Sequence, residues 1–164
     1  MRLFKIKHMK KVLIALDYDP SAKKVAEAAF TFAKAMNAEV ILLHVLADVT
    51  YYSTPQYTPI MGFSNFSDTD FLQMVDVEGL KKAAVYYLEK LKHHLGDENI
   101  QIVTVEGELA ETILKTAKNL HADTIVIGSH SRKWLEKILI GSTTEKVLQQ
   151  TTIPLLIIPI KEHK

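Results

Sequence analysis

The chain contains no cysteine, which removes disulfides, thiolate metal sites and a cysteine nucleophile together. It also has almost no surplus charge. Its 20 Lys and Arg against 19 Asp and Glu leave a formal net charge of +1, too little for the field that gathers nucleic acid or other polyanions. No apolar run approaches the roughly 18 residues that a membrane span requires. The motifs GxxxxGK(S/T), GxGxxG, GxSxG and HExxH are all missing, so the common phosphate-loop, dinucleotide, hydrolase-elbow and zinc-protease readings lose their sequence support. The leading MRLFKIKHMKK is basic but has no apolar h-region, and it reads either as a patch for acidic surfaces or as a solubilising end rather than as a secretory signal. By elimination the expectation is a cytoplasmic protein with no nucleic-acid partner and no membrane association.

What is present has the size of one domain with a real core: 164 residues, 48% hydrophobic and 24% charged. The runs Lys11 to Leu16, Val40 to Leu46, Ile100 to Val105, Thr124 to Gly128 and Pro154 to Ile160 are short, continuous and rich in branched apolar residues, the pattern of strands buried on both faces of a parallel sheet. Between them lie helical stripes. The first, with Asp19 as N-cap and Pro20 at the first helical position, carries Val25, Ala29, Phe32, Ala33 and Met36 and ends at Asn37. The second carries Leu80, Ala84, Tyr87, Leu88, Leu91 and Leu95 and stops at Gly96; its start is open, since Thr69 to Val75 also fits a helix. The third carries Leu109, Ile113, Leu114, Ala117 and Leu120, and the fourth begins near Ser142 with Val147 and Leu148. Alternation of strand and helix predicts an α/β fold, a doubly wound five-stranded parallel sheet with helices on both faces. The division expected is a basic extension over 1–9, one domain over 10–160 and a tail over 161–164. Within the domain, 47–75 is a long variable segment with scattered aromatics, Tyr51 to Phe71, suited to a lid, a partner-binding loop or a disordered crossover. Pro159 cannot donate to a ladder, which points to an edge or a strand end.

In such a sheet, ligands sit beyond the carboxyl ends of the strands where strand order reverses. The stretch from Asp123 to Glu145 reaches that edge: a strand ending at Gly128, the loop Ser129-His130-Ser131, then Gly141-Ser142-Thr143-Thr144-Glu145. Ser142 and Glu145 are spaced as a capping box, and a hydroxyl-rich helix start is a natural phosphate site because backbone N–H dipoles converge there. His130 and Lys133 either offset phosphate charge or face water. Asp17 either accepts from a base amine or ribose hydroxyl, or caps its own turn beside Asp19. His44, inside an apolar strand, reads as a satisfied structural histidine, and no other histidine or carboxylate forms a metal-ligand set with it.

The order KKVLIALD, VILLHV, VEGELAETIL, IVIGSHSRKWLEKILIGSTTEKVL, IPLLIIP resembles the universal stress protein family, in its single-domain UspA-like type, from about Met9 to Ile160. The resemblance implies a Rossmann-like fold with strand order 3-2-1-4-5 and a homodimer formed through the last strand, by Leu155, Leu156, Ile157, Ile158 and Ile160. Members that bind ATP carry Gly-x2-Gly-x9-Gly-(Ser/Thr), and Gly128, Ser131, Gly141 and Ser142 fall on those positions with the spacing kept. By the same match Asp17 and the backbone of Val45 would meet adenosine, and Ser142 and Thr143 would meet phosphate, with His130 nearby. Ser131 replaces the second glycine. In a left-handed turn a serine costs roughly 1–2 kcal/mol, about a tenfold to thirtyfold loss of affinity, part of which its hydroxyl could return. The resemblance therefore implies a universal stress protein that binds ATP or AMP, with Mg²⁺ or Mn²⁺ accompanying the phosphates, and acts as a dimer in stress response or signalling rather than as an enzyme. A nucleotide-independent dimeric interaction module with further protein partners is the alternative, and a slow ATP hydrolase comes last, since only His130 offers itself as a base.

Overall fold

The computed structural model describes residues 9–47, 77–130 and 141–160, with only the backbone at Val77 and His130. In chain order these residues form β1 (Lys11–Ala15), α1 (Ala22–Ala35), β2 (Glu39–Leu46), α2 (Val77–Leu95), β3 (Gln101–Glu106), α3 (Leu109–Asn119), β4 (Thr124–His130), α4 (Ser142–Gln150) and β5 (Leu155–Ile160). The five strands make one sheet in the order β3-β2-β1-β4-β5, with all pairs parallel. The expected 3-2-1-4-5 architecture is the one observed. The chain walks outward from β1 to β3 and then returns to the other side of β1, so strand order reverses between β1 and β4.

Alternation along each strand divides the core into two layers. Val12 and Ile14 of β1, with Val40, Leu42 and Val126, pack under Val25, Ala26, Ala29 and Ala33 of α1 and Leu88 and Leu91 of α2. Leu13, Ile41, Leu43, Ile125 and Ile127 point to the opposite layer, against Ala110, Ile113 and Ala117 of α3 and Val147 of α4. With Val12, Leu13 and Ile14 all fully buried, β1 has no solvent face, which is why it reads as an unbroken apolar run. Burying a side chain of that size contributes about 1.5–3 kcal/mol. The alanines of α1 let that helix lie close on the sheet.

Element ends follow local chemistry. Asp19 Oδ1 accepts from the Ser21 N–H at 2.8 Å and Asp19 O accepts from the Ala22 N–H at 2.9 Å, so Asp19 organises the turn that leads into α1, but the N-cap is Ser21 rather than Asp19 and the helix begins at Ala22 rather than at Pro20. Asn37 (φ 53°) and Gly96 (φ 72°) adopt the left-handed conformation just past α1 and α2. Two further expectations need correction. β4 does not end at Gly128 but runs to His130, with Gly128 paired to Ile158. The Ser142–Glu145 capping box does not form: Gly141 is the N-cap, Ser142 is already helical, and the Glu145 N–H bonds to Gly141 O at 2.9 Å. A glycine at that position leaves the first-turn N–H groups uncovered by a capping side chain. Pro159 lies in β5, an edge strand, as its missing donor requires. The question of helix over Thr69 to Val75 falls outside the described residues.

Gly107 makes the turn from β3 into α3 at φ +148°, and a Cβ there would stand 2.4 Å from Thr112 Oγ1. Backbone strain and steric overlap both oppose any side chain. Gly107→Ala is expected to lower the free energy of unfolding by roughly 1–3 kcal/mol in urea titration, whereas Gly96→Ala, whose added Cβ would meet nothing within 4 Å, loses only the left-handed backbone preference, about 1–2 kcal/mol.

Candidate functional site

Where the strand order reverses, a cleft of about 340 Å³ opens beyond the carboxyl ends of β1, β2 and β4, within the ordinary range of small-molecule sites. Asp17, Tyr18 and Asp19 come from the turn after β1, His44 and Val45 from β2, Gly128 from β4, and Gly141 to Thr144 from the start of α4. Leu109 and Ile113 of α3 close one wall, and Val25 and Ile160 another. Of the residues singled out from sequence, Asp17, Val45, Gly128, Gly141, Ser142 and Thr143 therefore line one cleft. His130 ends β4, its backbone paired with Ile160. Ser131 and Lys133 lie outside the described residues.

The β1 end of the cleft is built by hydrogen bonds to backbone. Leu16, one residue past β1, still donates its N–H to Leu43 O at 2.9 Å, while its carbonyl accepts from His44 Nδ1 at 2.8 Å. A carbonyl can only accept, so His44 carries its proton on Nδ1. Burial pushes the His44 pKa down from 6.5 to about 4 against the opposing pull of that hydrogen bond and of Asp17, so the ring is neutral at pH 7. This matches its reading as a satisfied structural histidine. Asp17 Oδ1 accepts from the Asp19 N–H at 3.1 Å, which realises the turn-capping reading of Asp17 while its side chain also lines the cleft. Tyr87, reaching across from α2, donates its hydroxyl to Asp17 O at 3.1 Å. Burial, and then the charges of Asp17 and Asp19, push its phenol well above the usual value, so it remains a donor. Tyr18 is fully buried, with its ring 4.1 Å from that of His44 and 5.1 Å from that of Tyr87, centroid to centroid.

The other end is the start of α4. Ser142 is exposed and Thr143 half-buried, and the first-turn N–H groups have no intrahelical acceptors. Thr144 Oγ1 lies 3.5 Å from Gly128 O, a long contact that sets the helix start against β4. No Lys or Arg is among the described lining residues; of the described groups, it is the backbone dipoles at the start of α4 that would favour an anion. Among the described residues no group of three or more His, Asp or Glu could hold a metal ion, and no helix is long and apolar enough to cross a membrane.

Gly128 has a structural reason of its own. A Cβ there would approach Val25 Cγ2 to 2.7 Å and Ile160 Cδ1 to 2.8 Å, so its hydrogen lets α1 and β5 close over β4.

A doubly wound parallel sheet with a cleft at the switch point, a carboxylate at one end and a glycine-capped helix start at the other define a Rossmann-like α/β protein. The chain belongs to the universal stress protein family, whose sequence model matches residues 8–159. It is 32% identical to universal stress protein YxiE of Bacillus subtilis (strain 168) over 150 residues, covering 90% of this chain and 97% of that protein. The solved structure of MJ0577, a universal stress protein of Methanocaldococcus jannaschii, superimposes with a TM-score of 0.67 at 27% identity, covering 96% of this chain and 100% of the other. A universal stress protein solved in complex with cAMP shares the fold, with a TM-score of 0.59 and 18% identity over 93% of this chain and 98% of the other. So does one from Archaeoglobus fulgidus solved in complex with dAMP, with a TM-score of 0.56 and 18% identity over 92% and 98%.

Sequence reasoning missed Tyr18 and the polar role of Tyr87. Its spacing puts Tyr87 on the core stripe of α2. A phenol among leucines and alanines was the available signal, since a buried tyrosine hydroxyl needs a partner. Nothing local marks Tyr18, which follows Asp17 in what reads as a polar turn.

The His44 shift makes stability pH-dependent. Between pH 6.5 and about 4 the unfolded chain binds a proton that the folded chain refuses, so stability falls as pH drops through that window and is unaffected above it. The loss reaches roughly 3 kcal/mol at the lower end. His44→Asn, which supplies an N–H donor but no titratable ring, is expected to flatten the dependence in urea titrations between pH 4.5 and 7.5; an unchanged slope would assign the acid sensitivity elsewhere.

Proposed function

We propose that this protein binds an adenine nucleotide, ATP or AMP, in the cleft at the carboxyl edge of the sheet, and that it acts in stress response or signalling as a homodimer. The observation that carries the reading is the convergence of Asp17, the backbone at Val45 and the Gly141-Ser142-Thr143 helix start on one cleft. A base and ribose at the first two would place phosphates against the third. The carboxylate accepts from an amine or hydroxyl, and the helix start supplies N–H groups to an anion. Gly128 closes the packing beneath, and by the family motif His130 and Ser131 would lie near the phosphates. Relatives of the same fold solved with cAMP and dAMP support an adenine nucleotide as the ligand class. Mg²⁺ or Mn²⁺ would accompany the phosphates, held by their oxygens.

Adenine nucleotide is expected among the small molecules released from freshly purified protein and detected by mass spectrometry. Added ATP or AMP at a hundred times Kd should stabilise the fold by about 2.7 kcal/mol, and Asp17→Ala should raise Kd about tenfold or more, the loss of a charge-assisted hydrogen bond. No nucleotide retained, and no shift in melting temperature at millimolar ATP, would sink the reading.

The dimer is proposed through β5, an edge strand bonded to β4 whose Leu155, Leu156, Ile157, Ile158 and Ile160 are half-buried. Leu155, Leu156, Ile158 and Ile160 pack against the two core layers, which leaves Ile157 as the residue to test. Ile157→Lys should shift the mass measured by light scattering from dimer to monomer with the circular dichroism spectrum unchanged.

A further inference from the structure

The turn after β1 is held in an unusual way. The carbonyl before the Asp17 Cα, that of Leu16, accepts from His44 Nδ1 at 2.8 Å; the carbonyl after it, that of Asp17 itself, accepts from the Tyr87 hydroxyl at 3.1 Å. The peptide planes on both sides of one Cα are thus fixed by side chains from two different elements, 28 and 70 residues away in sequence. The Asp17 side chain is in turn oriented by the Asp19 N–H at 3.1 Å. Both clamping rings are braced: His44 is 2% exposed, Tyr87 is half-buried, and each packs against the fully buried Tyr18 ring. Backbone geometry at a strand end is otherwise free to flex once the ladder stops, and a carboxylate that reads a ligand must hold its acceptor within a few tenths of an ångström.

We infer that His44 and Tyr87 are positioning residues that aim the Asp17 carboxylate at the amino edge of a purine, and so set the selectivity of the cleft for a 6-amino over a 6-oxo base. The inference rests on the adenine-nucleotide reading. Its chemistry is simple: a carboxylate only accepts, so it bonds the 6-amino group of adenine and repels the 6-carbonyl oxygen of hypoxanthine. A hydrogen bond to a charged acceptor discriminates by about tenfold to a hundredfold, but only while the acceptor is held in place. Neither positioning residue needs to touch the nucleotide.

The test measures Kd for AMP and for inosine monophosphate by calorimetry on the full chain, in the native protein and in Tyr87→Phe, His44→Leu and His44→Asn. The native protein should prefer AMP by about tenfold or more. Tyr87→Phe, which removes one oxygen, should shrink that preference about threefold to tenfold while the inosine monophosphate Kd stays within about twofold. His44→Leu should do the same, and His44→Asn, which restores a donor toward Leu16 O, should recover the native ratio. Equal weakening of both nucleotides in the variants would reduce the two residues to structural support and overturn the inference. An unchanged ratio in Tyr87→Phe and His44→Leu, or a native protein indifferent to the two bases, would overturn it while leaving nucleotide binding intact. If the native protein binds neither nucleotide, the adenine reading falls and the inference falls with it. Should His44→Leu fail to fold, Tyr87→Phe alone decides, because it alters no packing volume of consequence.

Discussion

Parallel pairing is the constraint on which this molecule depends. A strand whose neighbours all run the same way cannot be joined to them by a hairpin, so each must be followed by a crossover that returns the chain to the starting edge. That requirement produces the alternation of β1 to β5 with α1 to α4, buries both faces of β1, and collects every strand's carboxyl end on one side. The chain also builds outward from β1 in both directions, so the crossovers after β1 and β4 depart to opposite faces of the sheet and leave a gap between them. The cleft is a by-product of topology before it is anything chemical.

What the chain adds to that gap is polarity of two kinds. At the β1 end the donors His44 and Tyr87 are spent on backbone carbonyls, and the charged groups of the turn that line the cleft are two carboxylates, Asp17 and Asp19. At the α4 end the opposite holds: Gly141 caps without a side chain, and the helix start presents donors. A ligand with a hydrogen-bond-donating head and an anionic tail matches this gradient, whereas one with the charges reversed meets repulsion at both ends. His44 stays neutral through the physiological range and so adds no positive charge to the carboxylate end.

Most of the fold was legible because the decisive signals were local and repeated. Five apolar runs separated by helical stripes permit few other architectures, and the residues at the strand ends could be placed on one edge by topology alone. The misreadings arose where two local solutions compete. Ser142 and Glu145 have capping-box spacing, but Gly141 reaches the same backbone geometry one residue earlier, and the helix took it. Gly128 looked like a terminator, but β5 offers Ile158 as a pairing partner and the strand continues. The clamp on Asp17 was not legible at all, because it joins residues far apart in sequence and each member has an adequate local explanation: a histidine in a strand, a tyrosine in a helical stripe.

Gly128 carries a wider consequence. Its missing side chain is demanded by Val25 and Ile160 pressing from the neighbouring helix and edge strand, so the demand persists whether or not anything occupies the cleft. A relative that has lost its ligand would keep this glycine for as long as it keeps the same packing. Retention there is thus a record of architecture, and any record of ligand use falls instead to the helix start, where Ser142 is exposed and Thr143 half-buried.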